Sequence, residues 1–261
     1  MYESIWLKQS RGEPLFADLL WSRPESKHTA GKLLIIGGSV HGFSAVGEAF
    51  NEAQRAGIGS QRILLPDCLQ KTISRVFPES EFAPSTPSGS FSQTGLAQGL
   101  ELAHWADGVL IAGDLGRNSE TAVFLEKFLG KFDGQITLTK DAADYAINTS
   151  ITGRPQTLLV ISIAQLQKLF IKTGQNTAIT FDMALTQLAH ALHEFTSTTK
   201  LAVVVKHLDQ MIAAVGGQVS TTPTEIDNEE AWRVKTAAYA SVWWLQNPTK
   251  PFEAITTSLI N

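Results

Sequence analysis

The sequence is poor in cysteine, in charge and in long apolar runs, and each shortage excludes a class of protein. Cys68 is the only cysteine, so no internal disulfide can form and we expect a reducing, cytoplasmic location. Charged residues make up 18% of the 261 residues and the net charge is -4, without the basic footprint of a nucleic-acid-binding protein. The apolar runs at 33–36 and 201–205 are far shorter than the roughly 20 residues of a membrane-spanning helix. We therefore expect no nucleic-acid and no membrane partner.

What the sequence does contain is a regular alternation of apolar runs and helical periodicity, which predicts an α/β fold. The apolar fraction, 43%, is enough for a sizeable core. We predict strands at 32–37, 61–66, 108–113, 135–140, 157–162 and 201–206. We predict helices at 44–57, 94–105, 118–131, 163–172, 182–196 and 228–246. Because the strands are apolar almost throughout, they are expected to be parallel and covered by helices on both faces.

Two segments depart from this alternation. After Lys206, the runs 210–215 and 218–222 flank Gly216 and Gly217, which predicts an antiparallel hairpin at the edge of the mainly parallel sheet. The stretch 78–93 is rich in Ser, Pro and Gly and is either a mobile surface loop or a lid over a site. The stretch 78–93 is too short and too central to be a domain linker. We interpret residues 1–261 as one domain, with residues 1–22 as an N-terminal extension packed on it.

Two glycine-rich loops follow predicted strands and lead into predicted helices, at 33–45 and 108–120. Glycine allows a ligand to approach the backbone, and a helix N-terminus offers free amides to an anion. The loops lack the spacing of the dinucleotide fingerprint and of the Walker loop. Because ligands of open α/β sheets gather at the carboxyl ends of the strands, the two loops are expected to share a cleft. A tight strand–helix turn without a ligand explains the first loop, taken alone, about as well.

The segment 23–60 resembles the opening of the ADP/ATP-dependent NAD(P)H-hydrate dehydratases, a family of the ribokinase-like superfamily. Its matches to the family's Gly-Gly-Ser, Ala and Arg-Ala-Gly-x-Gly positions are Gly37, Gly38, Ser39, Ala45, Arg55, Ala56, Gly57 and Gly59. The segment 106–121 is similar to the family's Gly-Pro-Gly-Leu-Gly-Arg loop: Leu115, Gly116 and Arg117 match, and Asp114 replaces the middle glycine. In 203–214, Lys206 matches a family strand that ends in Lys-Gly-x-x-Thr, while His207 and Gln210 depart from it.

The resemblance weakens at the positions that carry the family's catalysis. Ser162 stands where the histidine of a His-Pro-Gly-Glu motif is expected. The family's Gly-Gly-x-Gly-Asp motif, which supplies an anion hole and a general base, has no counterpart in 221–246, and Arg233-Val234 falls on its Gly-Asp pair. Asp227, or alternatively Glu225, is the candidate for a replacement base. A cap of the last major helix by Thr224, Asp227 and Asn228 explains the same residues without catalysis.

The resemblance implies a three-layer α/β/α ribokinase-like fold and a lyase that repairs hydrated NADH or NADPH. In that family a nucleotide phosphorylates the hydrate, and elimination of phosphate restores the ring. The implied cofactor is ADP or ATP with Mg²⁺, and the implied ligands are adenine nucleotide and NAD(P)H hydrate. The implied substrate-binding residues are Gly38, Ser39, Ala45, Gly113 and Gly116. The implied nucleotide-binding residues are Lys206, His207, Leu208, Asp209 and Gln210.

Other readings of the sequence stay open at this point. The chain is a dehydratase with reduced or lost activity, or a non-catalytic relative that binds a nucleotide or a partner. A small-molecule kinase is a third possibility, and it needs the same anion hole.

His190 and His193 share a predicted helix face, either as metal ligands or as surface histidines, and we predict no metal site. The aromatic residues of the last major helix form core or a subunit interface, and we expect a homo-oligomer. These aromatic residues are Trp232, Tyr239, Trp243 and Trp244.

Overall fold

The structure, a computed structural model, describes residues 5–78, 80–225 and 231–260. Their strands are β1 (Trp6–Lys8), β2 (Lys32–Gly37), β3 (Ser60–Pro66), β4 (Ser80–Ala83), β5 (Gly108–Gly113), β6 (Gln135–Thr139), β7 (Thr157–Ile161), β8 (Leu201–His207), β9 (Gln210–Val215) and β10 (Gln218–Pro223). Their helices are α1 (Asp18–Trp21), α2 (Ser44–Arg55), α3 (Gln70–Ile73), α4 (Leu96–Trp105), α5 (Ser119–Lys131), α6 (Lys140–Ile147), α7 (Ile163–Lys172), α8 (Leu185–Thr198), α9 (Ala231–Gln246) and α10 (Pro251–Ser258). No helix in these ranges is long and apolar enough to cross a membrane.

The ten described strands form one sheet in the order β1-β10-β9-β8-β7-β6-β5-β2-β3-β4. Neighbouring strands pair in parallel, except that β9 is antiparallel to both of its neighbours, β8 and β10. The predicted mainly parallel sheet with a C-terminal antiparallel hairpin is confirmed. The short β1 adds one parallel strand outside the hairpin, which the sequence pattern did not predict.

Helices cover both faces of the sheet and complete three layers. One apolar cluster lies between the sheet and α4 to α8, and the other lies between the sheet and α1, α2, α9 and α10. The central strand β5 is buried along its whole length, as a strand between two helical layers must be. The helix α2 buries Ala45, Val46, Ala49 and Ala53, which recur at helical spacing along one face.

The parallel arrangement brings the carboxyl ends of β2, β5, β6, β7 and β8 to one edge of the sheet. Gly37 pairs with Gly113 across β2 and β5, and Ile161 pairs with Val205 across β7 and β8. The helices α2, α5, α6 and α7 all begin just after these strand ends. This edge is where ligands of open α/β sheets bind.

Several sequence expectations need correction. The predicted strand 135–140 ends at Thr139, because Lys140 begins α6, a helix that the pattern missed. The predicted loop 78–93 contains β4, and its residues 90–92 are buried against the core. The predicted helix 182–196 runs instead over 185–198.

The tryptophans of α9 lie in the core of this chain rather than on its surface. Trp232, Trp243 and Trp244 are buried, and Arg23 lies over the Trp243 ring at 4.8 Å from its centroid. An aromatic surface on α9 therefore does not support the expected homo-oligomer. Assembly stays a prediction that the family resemblance alone supports.

Candidate functional site

The first loop of the site, after β2, is held against the second by a backbone contact that requires glycine. The Gly38 N–H donates to the Gly113 carbonyl at 2.9 Å, with Gly38 at a φ of +85°. A Cβ on Gly37 would lie 2.6 Å from the same carbonyl oxygen. These glycines therefore serve the contact between the two loops, whatever else they bind.

The second loop, after β5, is tied to the start of α6. Gly116 has a φ of +74°; its N–H donates to Oδ2 of Asp141 at 3.2 Å, and its carbonyl accepts the Tyr145 hydroxyl at 2.5 Å. A Cβ on Gly116 would meet Oγ of Ser90 at 2.9 Å. The segment that carries Ser90 therefore forms one wall of the site, beside the position of the expected substrate pocket.

Asp114, the residue at the family's middle-glycine position, joins three elements. Its Oδ2 accepts the Ala45 N–H at 2.8 Å and the Ser44 hydroxyl at 3.2 Å at the start of α2, and its Oδ1 lies 2.6 Å from Nζ of Lys140. Burial alone raises the pKa of Asp114, but the Lys140 ammonium, the Ala45 amide and the Ser44 hydroxyl outweigh it and hold the pKa below its ordinary value. Asp114 is therefore an ionised structural anchor.

The pKa of Asp141, the next acid of the same cluster, is shifted in the opposite direction to that of Asp114. Burial raises the pKa of Asp141 above its ordinary value, and the Asp114 charge raises it further, against the opposing effects of the Gly116 and Leu115 amides and of Lys140. Two acids with opposite shifts thus lie beside the loops. Such perturbed groups concentrate at functional sites, although structural networks perturb pKa values in the same way.

The expected substrate-binding residues are brought together at this edge. Gly38 bonds to Gly113, Ala45 bonds to Asp114 of the same loop, and a Cβ on Gly116 would lie 3.6 Å from Oγ of Ser39. The two loops are therefore in contact in the fold, and that they share a ligand cleft stays a prediction. That these residues bind substrate stays a prediction.

The expected nucleotide-binding residues form the turn between β8 and β9. His207 is buried, and its Nε2 lies 2.8 Å from the Met183 carbonyl. Leu208, by contrast, is 70% exposed and has a φ of +53°. Three strand spacings, about 14 Å, separate β8 from β5 in the sheet, so this turn and the glycine loops lie along the same edge but apart.

Arg233 and Gln165 lie between these two groups, and the sequence pattern did not single them out together. The Gln165 side chain donates to the Lys140 carbonyl and to Asp144, each at 2.7 Å, and its Oε1 accepts from Nη1 of Arg233 at 3.5 Å. Nε of Arg233 is buried and has no hydrogen-bond partner among residues 5–78, 80–225 and 231–260. Because a buried unpaired donor is costly, this guanidinium is suited to meet an anion that binds at the edge.

The candidate replacement bases have different outcomes. Asp227 lies outside the described residues. Glu225 is exposed and forms an ion pair with Arg11, whose hydrogen bond and charge lower the pKa of Glu225. A carboxylate whose pKa is lowered in this way is a weaker base, so Glu225 is a poor substitute. Of the residues that the sequence offers as a helix cap, Thr224 lies at the end of the described segment, and its N–H donates to the Asp209 carbonyl.

The histidines considered as metal ligands make other contacts. Nε2 of His190 lies 3.3 Å from a Glu194 carboxylate oxygen, and Nδ1 of His193 contacts the Gly217 carbonyl. Within the described ranges, no group of three His, Cys, Asp or Glu side chains is arranged to hold a metal ion.

Comparisons with known proteins give matches of fold only. No protein-family model and no curated protein matches this chain. A ribokinase-like superfamily protein from Enterococcus faecalis superposes with a TM-score of 0.73 at 16% identity, covering 100% of this chain and 87% of that one. The ADP/ATP-dependent NAD(P)H-hydrate dehydratase of Bacillus subtilis, crystallised with ATP and Mg²⁺, gives 0.64 at 18% identity, covering 94% of this chain and 86% of that one. Pyridoxal kinase of Bacillus subtilis, as an ADP complex, gives 0.58 at 12%, covering 87% and 88%. The order of strands and helices together with these superpositions establishes that the chain has the ribokinase-like fold.

Proposed function

We propose that this chain binds an adenine nucleotide at the carboxyl edge of its sheet, as a relative of the NAD(P)H-hydrate dehydratases whose turnover of hydrated NAD(P)H is strongly reduced or lost. The resemblance of its glycine loops and the fold shared with a dehydratase crystallised with ATP and Mg²⁺ both support the nucleotide. Adenine nucleotide and NAD(P)H hydrate are the ligands of the proposal.

The observation that carries the binding proposal is the Arg233 guanidinium, whose buried Nε has no hydrogen-bond partner among the described residues. Arg233 lies in the first turn of the described α9 and forms no ion pair with a described residue; its recorded contact is the long bond to Gln165. Arginine presents a planar set of donors that matches phosphate oxygens. In the proposal, Arg233 contacts the terminal phosphate of the nucleotide. It would thus take over part of the role of amides that the sequence has lost.

Mg²⁺ fits this arrangement only as a companion of the nucleotide. The described residues offer no three-ligand cluster, and Asp114 is already engaged by Lys140. Magnesium commonly keeps several waters and binds through substrate phosphates and one or two carboxylates. Asp141, whose buried Oδ1 has no hydrogen-bond partner in the described part of the chain, is the carboxylate that we assign to that role.

The position aligned with the family's general base argues for slow catalysis. That position is Val234, which is buried in the apolar cluster between α9 and the sheet. An apolar side chain accepts no proton, and loss of general-base catalysis typically lowers a rate by about 10²–10⁴-fold. Each donor lost from an anion hole typically costs a further 10²–10³-fold, roughly.

The proposal is tested by binding and turnover measured on the same preparation. Calorimetric titration with ATP and with ADP, each with Mg²⁺, is expected to give saturable binding that Arg233→Gln weakens about tenfold and Arg233→Lys weakens less. Lys250→Gln, which removes an exposed charge that pairs with Asp18, is the matched control and is expected to change nothing. Absence of binding of either nucleotide at millimolar concentration would overturn the binding proposal.

Turnover is followed as the return of NADH absorbance when hydrated NADH is supplied with Mg²⁺ and ATP or ADP. Little or no return is expected. A rate like that of an intact dehydratase would contradict the reduced-activity proposal. Loss of such a rate in Asp227→Ala would then identify Asp227 as the replacement base.

A further inference from the structure

The acids on the loop after β5 and on α6 are mostly engaged by other groups, which leaves little to hold a metal ion. Both oxygens of Asp144 are used: Oδ1 lies 2.7 Å from Nζ of Lys168, and Oδ2 accepts the Gln165 amide at 2.7 Å. Both oxygens of Asp114 are engaged as well, by an ammonium group and by the start of α2. Asp141 keeps one oxygen without a partner in the described part of the chain, and that oxygen is buried.

Magnesium is poorly served by a single buried carboxylate oxygen. The ion demands near-octahedral geometry and gives up its waters reluctantly, so proteins usually hold it through one or two carboxylates together with waters and substrate phosphates. Even with Asp141 in the role assigned above, these three acids contribute one oxygen to a complex of Mg²⁺ and nucleotide. The affinity for a nucleotide therefore has to come from another positive group.

The amide of Gln165 is oriented so that its oxygen faces Arg233. Its nitrogen donates to the Lys140 carbonyl and to Asp144, each at 2.7 Å, and its oxygen accepts the Ser162 N–H at 3.2 Å. Because both hydrogens of the amide are taken by acceptors, the oxygen is left for Nη1 of Arg233, at 3.5 Å. Gln165 therefore gives Arg233 a polar partner but no negative charge.

The positive charge of Arg233 is consequently not neutralised within the described ranges. No carboxylate of residues 5–78, 80–225 or 231–260 pairs with it, and its buried Nε has no hydrogen-bond partner there. A guanidinium is charged at every pH at which proteins fold, and its planar donors match phosphate oxygens. The edge thus already holds a fixed cation for an incoming polyphosphate.

We propose that Arg233 takes the place of Mg²⁺ in this chain, so that the nucleotide binds as the metal-free polyphosphate anion. The inference rests on the proposed function, because it assumes that an adenine nucleotide binds at this edge. Free ATP carries more negative charge than its Mg²⁺ complex and is attracted more strongly to an uncompensated cation. Since phosphoryl transfer relies on a metal ion to neutralise the developing charge, a nucleotide held in this way is bound without being activated.

Calorimetric titration of the whole chain with ATP, once in EDTA and once in excess Mg²⁺, tests the inference. The unaltered protein is expected to bind ATP in EDTA at least as tightly as in Mg²⁺. Arg233→Gln is expected to lower the affinity in EDTA by roughly a hundredfold, because the phosphates then lose charge-assisted bonds that no metal replaces. This variant is expected to bind ATP more tightly with Mg²⁺ than without it.

Gln165→Glu tests the same charge from the other side. It adds a carboxylate beside Arg233 and is expected to lower the affinity for ATP in EDTA about tenfold, with a preference for Mg²⁺. Gln54→Glu adds the same charge at an exposed position near the end of α2 and is the matched control, expected to keep the preference of the unaltered protein. Because the new carboxylate at position 165 also faces Asp144, thermal unfolding without nucleotide checks its fold, and Arg233→Gln alone decides if it does not fold.

The outcomes separate this inference from the proposed function. ATP binding that requires Mg²⁺ in the unaltered protein overturns the inference and leaves the proposed function standing. An equal loss of affinity in Mg²⁺ and in EDTA on Arg233→Gln also overturns it, because Arg233 would then add to the metal rather than replace it. Absence of ATP binding in both buffers removes the proposed function and this inference with it. Binding in EDTA that depends on Arg233 supports both.

Discussion

Oδ1 of Asp114 lies 2.6 Å from Nζ of Lys140, and both residues hold a left-handed backbone, with φ values of +57° and +51°. A residue with a Cβ, such as Lys140, adopts this conformation at a cost of about 1–2 kcal/mol, whereas Asp tolerates it better because its short side chain bonds locally. Their ion pair joins the loop after β5 to the first residue of α6, where neither side chain is more than 26% exposed. The ion pair thus links two positions with left-handed backbone beside the glycine loops.

The Asp114–Lys140 pair predicts a pH-dependent loss of stability in Asp114→Asn. At neutral pH the variant is expected to unfold with a free energy about 1–3 kcal/mol lower, because Lys140 is left partly buried without its anion. Since the pKa of Asp114 is lowered in the folded protein, its contribution is present above the ordinary carboxyl pKa and is lost as the pH falls through the folded-state value. Urea denaturation at pH 7 and at a pH well below the ordinary carboxyl pKa measures the difference.

A matched control uses the exposed ion pair of Asp18 with Lys250, in which the side chains are 64% and 49% exposed. Asp18→Asn is expected to change stability by about 0–1 kcal/mol, as surface pairs do. Asp114→Gly separates strain from charge, because it relieves the left-handed backbone while removing the same ion pair. A loss in Asp18→Asn as large as that in Asp114→Asn would contradict the buried-pair argument.

The pattern of apolar runs predicted the layers of the fold well, because strand burial and helical periodicity are local properties of the sequence. All six predicted strands are present, and so is the hairpin around Gly216. The short β1 was missed, since its three residues carry no pattern and form a strand only by pairing with β10. The helix α6 was missed because Lys140 begins it directly after a strand, with no turn between them.

The candidate site was predictable only in part. The glycine loops were identifiable because glycines after strands carry a local signal. The contact of Gln165 with Arg233 joins residues 68 positions apart, so that no spacing or motif in the sequence reports it. The same holds for the link between Asp114 and Lys140, 26 positions apart, whose significance depends on burial.

Asp141 predicts a pH dependence opposite to that of Asp114. Because burial raises its pKa in the folded protein, the protonated form is favoured there, and stability from this group is lost as the pH rises through the folded-state value. Asp141→Asn is uncharged and still accepts the Gly116 N–H, so it is expected to melt at or above the temperature of the unaltered protein at pH 8. The gain is expected to shrink toward zero at pH 4. A variant that melts lower at pH 8 than at pH 4, relative to the unaltered protein, would show that the Asp141 charge is stabilising.

The side chain of Asn118 both caps α5 and contacts Ser88, and substitutions can separate the two contributions to stability. Its Oδ1 accepts the N–H groups of Glu120 and Thr121 at the start of α5, while its Nδ2 donates to Ser88 at 2.7 Å. Asn118→Ala loses both functions and is expected to destabilise the protein by about 1–2 kcal/mol. Asn118→Ser retains a capping oxygen but does not reach Ser88, and a smaller loss is expected in thermal unfolding. Equal losses in the two variants would assign the effect to the Ser88 contact instead of the cap.

Leu208 tests whether the turn between β8 and β9 meets the nucleotide. Leu208→Ala and Leu208→Gly both remove a side chain that is 70% exposed, but only glycine relieves the φ of +53°. Leu208→Gly is therefore expected to be more stable than Leu208→Ala by about 1 kcal/mol in urea denaturation. If Leu208 contacts the nucleotide, as the resemblance of 206–210 implies, both variants weaken ATP binding to a similar extent, because both lack the leucine atoms beyond Cβ. Equal stability of the two variants would show that the backbone is unstrained, and unchanged ATP affinity in both would place the adenine away from Leu208.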